Sequence, residues 1–335
     1  MSSIKEVAQI AGVSVTTVSY VLNNKGHIRP ETRQHVLKVI EQLGYRRSSQ
    51  ARNLRDGQSR IIGYAWRAPE TEAELEGNPI LDSFLNSVIK GLEAHGLHLL
   101  VFNDPTESEV DLYDDLIKSR RLDGFILAKT QQDDHRVAFL QAVGFPFVAF
   151  GRTNTPLDAD TAWVDVDGEA GIFAATQHLI EQGHQQIGLI AWPDFSVTGE
   201  HRIMGYQRAL AQAGIAYDPR LTVRQENFVS EGYRGAAQLL CAPHPPSAIV
   251  TVCDTLALGA LRYINEQGLQ VAITGYDDIP VAKFLNPPLT TLRQPIRAVA
   301  ERLVEMLLIQ LQGEALPQKH HLLSPELIIR ASSVL

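Results

Sequence analysis

Four side chains near the start of the chain, Val15, Thr16, Ser19 and Tyr20, place methyl and hydroxyl groups one helical turn apart on a single face. Small groups that donate, accept or make apolar contact are the chemistry by which a helix reads base edges and phosphates in a DNA groove. The surrounding charge suits that use. Residues 1 to 60 hold ten Lys and Arg against four acids, a formal +6, so the remaining chain carries −14 of the whole-chain −8. A basic head draws phosphate and releases counterions, whereas the acidic body holds itself away from nucleic acid. The other chemistry-bearing pairs point elsewhere. Asp133-Asp134 and Asp277-Asp278 lack a recognisable nucleophile beside them and read as solvated or ligand-binding carboxylates rather than an acid–base dyad. Cys241 and Cys253 have no CxxC spacing, so they read as reduced structural thiols, with no metal site expected. No GxGxxG, Walker-type lysine loop, HExxH or GxSxG occurs. The chain is therefore expected to be no enzyme and to carry no cofactor.

The face must be carried by a helix set against another. Ser3 and Glu6 have capping-box spacing, and Ile4, Val7, Ala8 and Ala11 repeat at the helical period. Gly12-Val13-Ser14 turns the chain, and Ser14 can cap a second helix in which Val18, Val21 and Leu22 face inward. This pattern predicts a helix-turn-helix, although amphipathic helix pairs also pack in ordinary bundles. A third helix is expected over Pro30 to Leu43, with Val36, Leu37, Ile40 and Leu43 as its inner stripe and Gly44 ending it. Residues 1–46 thus form a headpiece. The Arg-rich segment 47–60, with only Ala51 and Leu54 as apolar residues, reads as a linker that is helical only when supported.

From Ile61 the texture changes. Short apolar runs at Ile61 to Ala65, Leu97 to Phe102, Gly124 to Ala128, Pro146 to Phe150, Ile187 to Trp192, Ala248 to Val252 and Val271 to Gly275 read as strands. Amphipathic segments at 80–95, 107–119, 134–143, 168–182, 200–213, 231–240 and 255–267 alternate with them. The fold class expected is a small all-α headpiece followed by an α/β sensor of two lobes, with a ligand cleft beyond the carboxyl ends of the strands. No apolar run reaches the roughly twenty residues needed to span a bilayer, and no signal-like core opens the chain, so a cytoplasmic protein is expected.

Several segments resemble the lactose/galactose repressor family of bacterial transcription factors. The likeness lies in Ile4-Lys5-Glu6-Val7-Ala8, Ala11-Gly12-Val13-Ser14, Thr17-Val18-Ser19-Tyr20-Val21-Leu22-Asn23, Arg29-Pro30-Glu31-Thr32-Arg33, Leu43-Gly44-Tyr45 and Ala51-Arg52-Asn53-Leu54-Arg55. It continues in order through Gly183-His184, Arg202-Ile203-Met204-Gly205-Tyr206, Gly275-Tyr276-Asp277-Asp278 and Pro288-Leu289-Thr290-Thr291. The resemblance implies a homodimer at the nucleoid reading a near-palindromic operator, one half-site per subunit. It places Val15, Thr16 and Tyr20 against bases, and Thr17, Ser19, Asn23 and Tyr45 at phosphates. Core packing is the alternative for Val15. Ala51 and Leu54 fall in the family's hinge, where the leucine wedges into the minor groove; burial against the sensor is the alternative for Leu54.

For the sensor, the resemblance implies the two-lobed periplasmic-binding-protein-like fold, with one lobe spanning 61–160 and 292–322 and the other 161–291 and 323–335. It puts Arg202, Phe228 and Asp277 in the cleft, where a guanidinium, an aromatic face and a carboxylate suit a small sugar. Trp66, Asp82, Arg152, Trp163, Asp165 and Trp192 are further candidates for its wall, with ordinary packing the alternative for each Trp. Cys253-Asp254 stands where many relatives have Asn-Asp, and Gly151 where some have an acid, so the sugar does not transfer from any relative. The extra residues around Glu70 to Asn78 could shape an entrance for a longer glycan, or be simple loop variation. Chemistry leaves open whether the effector is an inducer or a co-repressor. The rival readings are a purine-sensing regulator of the same fold and a solute receptor for transport.

Overall fold

The computed structural model describes residues 3–22, 24–45, 58–66, 79–104 and 110–334. The chain divides into two compact units, Met1–Ser59 and Arg60–Leu335.

The first unit contains helices α1 (Ile4–Ile10), α2 (Val15–Leu22) and α3 (Pro30–Gln42). Both halves of the capping box form: the Glu6 amide donates to Ser3 Oγ at 3.2 Å and the Ser3 amide to Glu6 Oε2 at 3.4 Å. Ser14 caps α2 by accepting from the Thr17 amide at 3.1 Å. Val7, Ala8, Ala11, Val18, Val21, Val36 and Val39 close the core. The inner stripe of α3 differs from expectation at one place: Leu37 is 47% exposed and Val39 is buried. Starting from Val36, steps of three and four reach Val39, Ile40 and Leu43; Leu37 lies about 100° off that line.

The second unit is built on two parallel sheets. The first has six strands in the order β11-β5-β4-β3-β1-β2, namely His320–Leu323, Trp163–Val166, Phe147–Phe150, Gly124–Leu127, Ile61–Trp66 and His98–Asn103. The second has four in the order β7-β6-β8-β9, namely Thr222–Arg224, Ile187–Ala191, Ala248–Thr251 and Ala272–Thr274. The inner strands β3, β6 and β8 are buried along their whole length, as strands covered on both faces must be. Helices α4 (Pro79–Ala94), α5 (Asp111–Lys118), α6 (His135–Val143) and α11 (Ile296–Leu311) belong with the first sheet. Helices α7 (Gly168–Glu181), α8 (Val197–Gln212), α9 (Val229–Leu240) and α10 (Asp254–Glu266) belong with the second. A short antiparallel pair, β10 (Thr291–Arg293) and β12 (Glu326–Ile328), carries the chain between the two layers. None of the described helices is long and apolar enough to cross a membrane.

Two features depart from the expected partition. Trp163–Val166, expected in the second lobe, pairs in parallel with β4 and β11 in the first sheet. Leu323, also expected in the second lobe, is the last residue of β11. The apolar alternation of β5 is interrupted by Asp165, and β11 opens on two histidines, so neither segment advertises a strand locally; long-range pairing creates them. The hinge expected at 47–60 and the insertion at Glu70 to Asn78 fall mostly or wholly outside the described residues.

The pair α9–α10 is packed backbone to backbone. A Cβ at Gly259 would lie 1.8 Å from the Val229 carbonyl oxygen, and one at Gly232 would lie 2.1 Å from that of Leu256. Gly259→Ala should therefore destabilise the second unit by about 3 kcal/mol, the upper end for forcing a methyl into a packed interior. A urea midpoint unchanged from wild type in the full chain would contradict this packing.

Candidate functional site

The outer face of α2 is open. Val15 is 42% and Tyr20 45% exposed, and Thr16 is exposed between them, whereas Val18 and Val21 supply the buried side. The packing alternative for Val15 thus does not describe this structure. The Gly26 backbone approaches the Tyr20 ring closely: a Cβ there would come within 3.1 Å of it. Thr17 and Ser19 are half-buried, and the Thr17 hydroxyl lies 2.9 Å from that of Ser14. Tyr45 is half-buried against the headpiece core, after a left-handed Gly44 (φ 56°). Asn23, Ala51 and Leu54 lie outside the described residues.

The second candidate site is a cleft of about 350 Å³ between the two sheets, within the usual range for small-molecule pockets. Its walls are strand ends and the loops that follow them: Lys129 to Gln131 after β3, Phe150 and Gly151 at β4, Asp165 and Val166 on β5, Trp192, Pro193, Phe195 and Ser196 between β6 and α8, and Val197 and Thr198 at the start of α8. Glu226 and Asn227 follow β7, Asp277 follows β9, Gln294 follows β10, and Ile80 and Leu81 come from the start of α4.

Arg202 is the cationic centre. It is 4% exposed, its guanidinium lies 3.6 Å from the ring centroid of Tyr276 and 4.8 Å from that of Trp192, and it donates to the Val252 carbonyl. Its Nε, with Trp192 Nε1, has no hydrogen-bond partner among the described residues. Asp277 stands at φ 129°, a backbone region that side chains other than glycine rarely adopt. Its amide donates to the Leu292 carbonyl at 2.7 Å and its carboxylate accepts from Gln294 Nε2 at 2.6 Å. Although part of its surface faces the cleft, Asp277 is walled round by protein. That desolvation raises its pKa to about 7, against the lowering pull of Arg202 and with further upward pressure from Asp254. Across the cleft, Asp165 accepts from Arg152 Nε at 2.8 Å and from the Val166 amide at 2.8 Å. Arg152 also meets His201 Nδ1 at 3.2 Å; burial first, then the charge of Arg152, hold the His201 pKa down, so a neutral ring can accept that bond.

Of the sensor candidates, Arg202, Asp277, Asp165 and Trp192 line this cleft together. The others do not line it. Arg152 stands behind Asp165, and Trp163 stacks on His320 at 4.8 Å, with the Arg152 guanidinium 5.5 Å from its ring centroid. Trp66 borders a separate small cavity with Tyr64 and Arg136, and Asp82 is exposed on α4. Phe228 is the half-buried residue before α9; its neighbours Glu226 and Asn227 face the cleft instead. Sequence reasoning did not reach Asn227, Gln294 or Phe195. For Phe195 a signal existed: it precedes Ser196, whose hydroxyl caps α8 through the Gly199 amide at 3.1 Å, in a loop directly after a strand.

Comparison with known proteins finds relatives of both units. Residues 3–48 match the family model for bacterial regulatory proteins of the lacI family, and residues 176–333 match that for a periplasmic binding protein-like domain. The HTH-type transcriptional repressor CytR of Escherichia coli (strain K12) is 32% identical over 341 residues, covering 99% of this chain and 96% of that one. Among solved structures, the lac repressor dimer bound to operator and the anti-inducer ONPF superposes with a TM-score of 0.86 at 27% identity, over 100% of this chain and 99% of that one. The complex of the transcriptional regulator CelR with cellobiose superposes with a TM-score of 0.74 at 29% identity, over 99% of this chain and 100% of that one.

The raised pKa of Asp277 has a signed consequence. Folding favours its protonated form, so its contribution to stability is full below the unfolded value near 3.8 and is lost as pH rises through about 7. Asp277→Asn removes that loss. Between about pH 5 and about pH 8, the Tm of the wild type should fall relative to that of the variant; parallel profiles would show that Asp277 does not titrate in this range.

Proposed function

This chain belongs to the lacI family of bacterial regulatory proteins, and from that premise we propose that it is a repressor of carbohydrate-use genes released or engaged by a small sugar. It is a DNA-binding transcriptional regulator built from a helix-turn-helix headpiece and a two-lobed α/β sensor. The observation that carries the sugar reading is the convergence of Arg202, Asp277 and Asp165 in a cleft that also presents Trp192 and Phe150. Vicinal hydroxyls bind forked guanidinium and carboxylate groups through charge-assisted hydrogen bonds, while the apolar side of a pyranose packs on an aromatic face. The relative CelR, solved as its complex with cellobiose, holds a ligand of this class. The chain acts as a binder rather than an enzyme, and it works in the cytoplasm at the nucleoid, where its operator is.

In this reading Val15, Thr16 and Tyr20 read bases. Val15 offers a methyl surface to thymine, and the Thr16 and Tyr20 hydroxyls donate or accept. Thr17, Ser19, Asn23 and Tyr45 hold phosphates, and Ala51 and Leu54 enter the minor groove between the paired subunits. Sugar draws the two lobes together around the cleft, and that closure shifts the DNA affinity of the dimer. The coupling is reciprocal and of the order of 1 to 3 kcal/mol in such switches.

Two measurements test the proposal. Fluorescence anisotropy with upstream DNA should show affinity falling steeply with salt, with a log-log slope near −0.9 per phosphate neutralised. Leu54→Ala should weaken operator binding by at least about tenfold and non-specific binding far less, as expected for a residue that unstacks a base step; equal losses on both DNAs would remove the wedge. A thermal-shift screen of mono- and disaccharides beside nucleobases tests the effector: stabilisation by a nucleobase alone would replace the sugar with a purine.

A further inference from the structure

Behind the cleft wall lies a cysteine that does not itself line the cleft. Cys253 is fully buried at the residue before α10, and its thiol donates to Asn227 Oδ1 at 2.9 Å. Asn227 does line the cleft. The direction of this bond matters. Burial, with the negative charge of Asp277 adding to it, pushes the Cys253 thiol well above its ordinary range, so it stays protonated and able to donate. A side-chain amide has one acceptor oxygen and one donor nitrogen, and its orientation follows from which of them is already engaged. With Oδ1 held by the thiol, Nδ2 is the end left to serve the cleft.

Asn227 has company on the same lobe. Trp192 Nε1 and Arg202 Nε, both on residues lining the cleft, have no acceptor among the described residues. Buried donors without acceptors are costly, and a ligand that brings oxygen to them recovers that cost. The cleft also presents the carboxylates Asp277, Asp165 and Glu226 as acceptors.

We propose that Cys253 is a positioning residue for effector recognition: its thiol locks the Asn227 amide with its N–H donors toward the cleft, so the effector must set an acceptor oxygen against Asn227. The proposal rests on the reading of this cleft as the sugar site. It selects a hydroxyl or ring oxygen over a ligand N–H at that point.

The hydrogen bond is tested first, on the full chain without ligand. The infrared S–H stretch of Cys253, isolated by subtracting Cys253→Ala, should lie at the low frequency of a bonded thiol and move up in Asn227→Ala; a band that does not move overturns the lock. The second arm is calorimetry with cellobiose, or with the sugar giving the largest thermal shift. Cys253→Ala should weaken binding between about threefold and tenfold, the loss expected for one hydrogen bond, and Cys253→Ser should restore most of it. Asn227→Asp, which replaces the donor with an acceptor, should lose more. In an Asn227→Ala background Cys253→Ala should change affinity no further. Equal losses in both backgrounds would show that the cysteine acts only through packing and would overturn the proposal. Failure of every sugar to bind wild type would instead overturn the sugar reading, while the infrared arm still decides the lock.

Discussion

Asp254, wholly buried at the start of α10, holds together the ends of three segments that otherwise have little reason to meet. Its carboxylate accepts from the Ile279 amide at 2.9 Å and from the Thr291 hydroxyl at 2.5 Å, and its own amide donates to the Tyr276 carbonyl at 2.7 Å. The approach is so close that a Cβ at Gly275 would lie 2.1 Å from Asp254 Oδ1. Burial raises the Asp254 pKa to about 6, with the bonds from Thr291 and Ile279 pulling it back down. A buried carboxylate is costly unless its lone pairs are satisfied, so these bonds fix the geometry as well as offsetting the charge. The consequence is felt two residues beyond Gly275, where the chain is held in a left-handed excursion at Asp277 and Asp278.

That excursion sends two adjacent carboxylates to different tasks. Asp277 lies at the cleft with Gln294, while Asp278 accepts from Arg330 at 2.6 Å and from Arg293 at 2.7 Å. Arg293 belongs to β10, and Arg330 follows β12, the two strands that run between the layers. The expectation that Asp277 and Asp278 are solvated or ligand-binding carboxylates rather than a catalytic pair divides accordingly: one member faces the cleft and the other faces the crossover. The cleft wall and the crossover are thus separated by one peptide.

What could be read from the sequence follows from how local each determinant is. The headpiece was legible because Ser3 with Glu6, and Ser14 with Thr17, act within one helical turn, and because Val18 and Val21 can be assigned from periodicity alone. The central strands were legible as apolar runs such as Ile187–Ala191. β5 and β11 were not, since the two strands pair with each other across more than 150 residues and the pattern of each is broken by polar residues. The cleft shows the same division. Arg202 and Asp277 sit in segments recognisable as a whole, but whether Phe228 or Asn227 faces inward depends on a single step of a loop at the start of α9. Leu37 is a smaller case: every residue of the proposed stripe was apolar, and only the phase of the helix distinguishes it from Val39.

The energetics of switching favour the buried part of the crossover as its carrier. The Arg293–Glu326 pair is exposed on both sides, at 51% and 69%, and an exposed pair at 3.5 Å is worth about 0 to 1 kcal/mol, further reduced by salt. The Asp278–Arg330 pair is exposed by only 10% and 16%, and the Arg330 guanidinium also donates to the Leu289 carbonyl at 2.7 Å. Arg330 is further fixed by its amide, which donates to the Thr290 hydroxyl at 2.8 Å, and Thr290 in turn contacts Ser333 and Ser332. This cluster joins the chain after β9 to the strands that cross over. Couplings of 1 to 3 kcal/mol exceed what the exposed pair can transmit and fall within what loss or remaking of a largely desolvated ion pair can supply. The carboxylate that lines the cleft and the one that pairs with Arg330 are neighbours in sequence, so a single peptide links the cleft to this cluster.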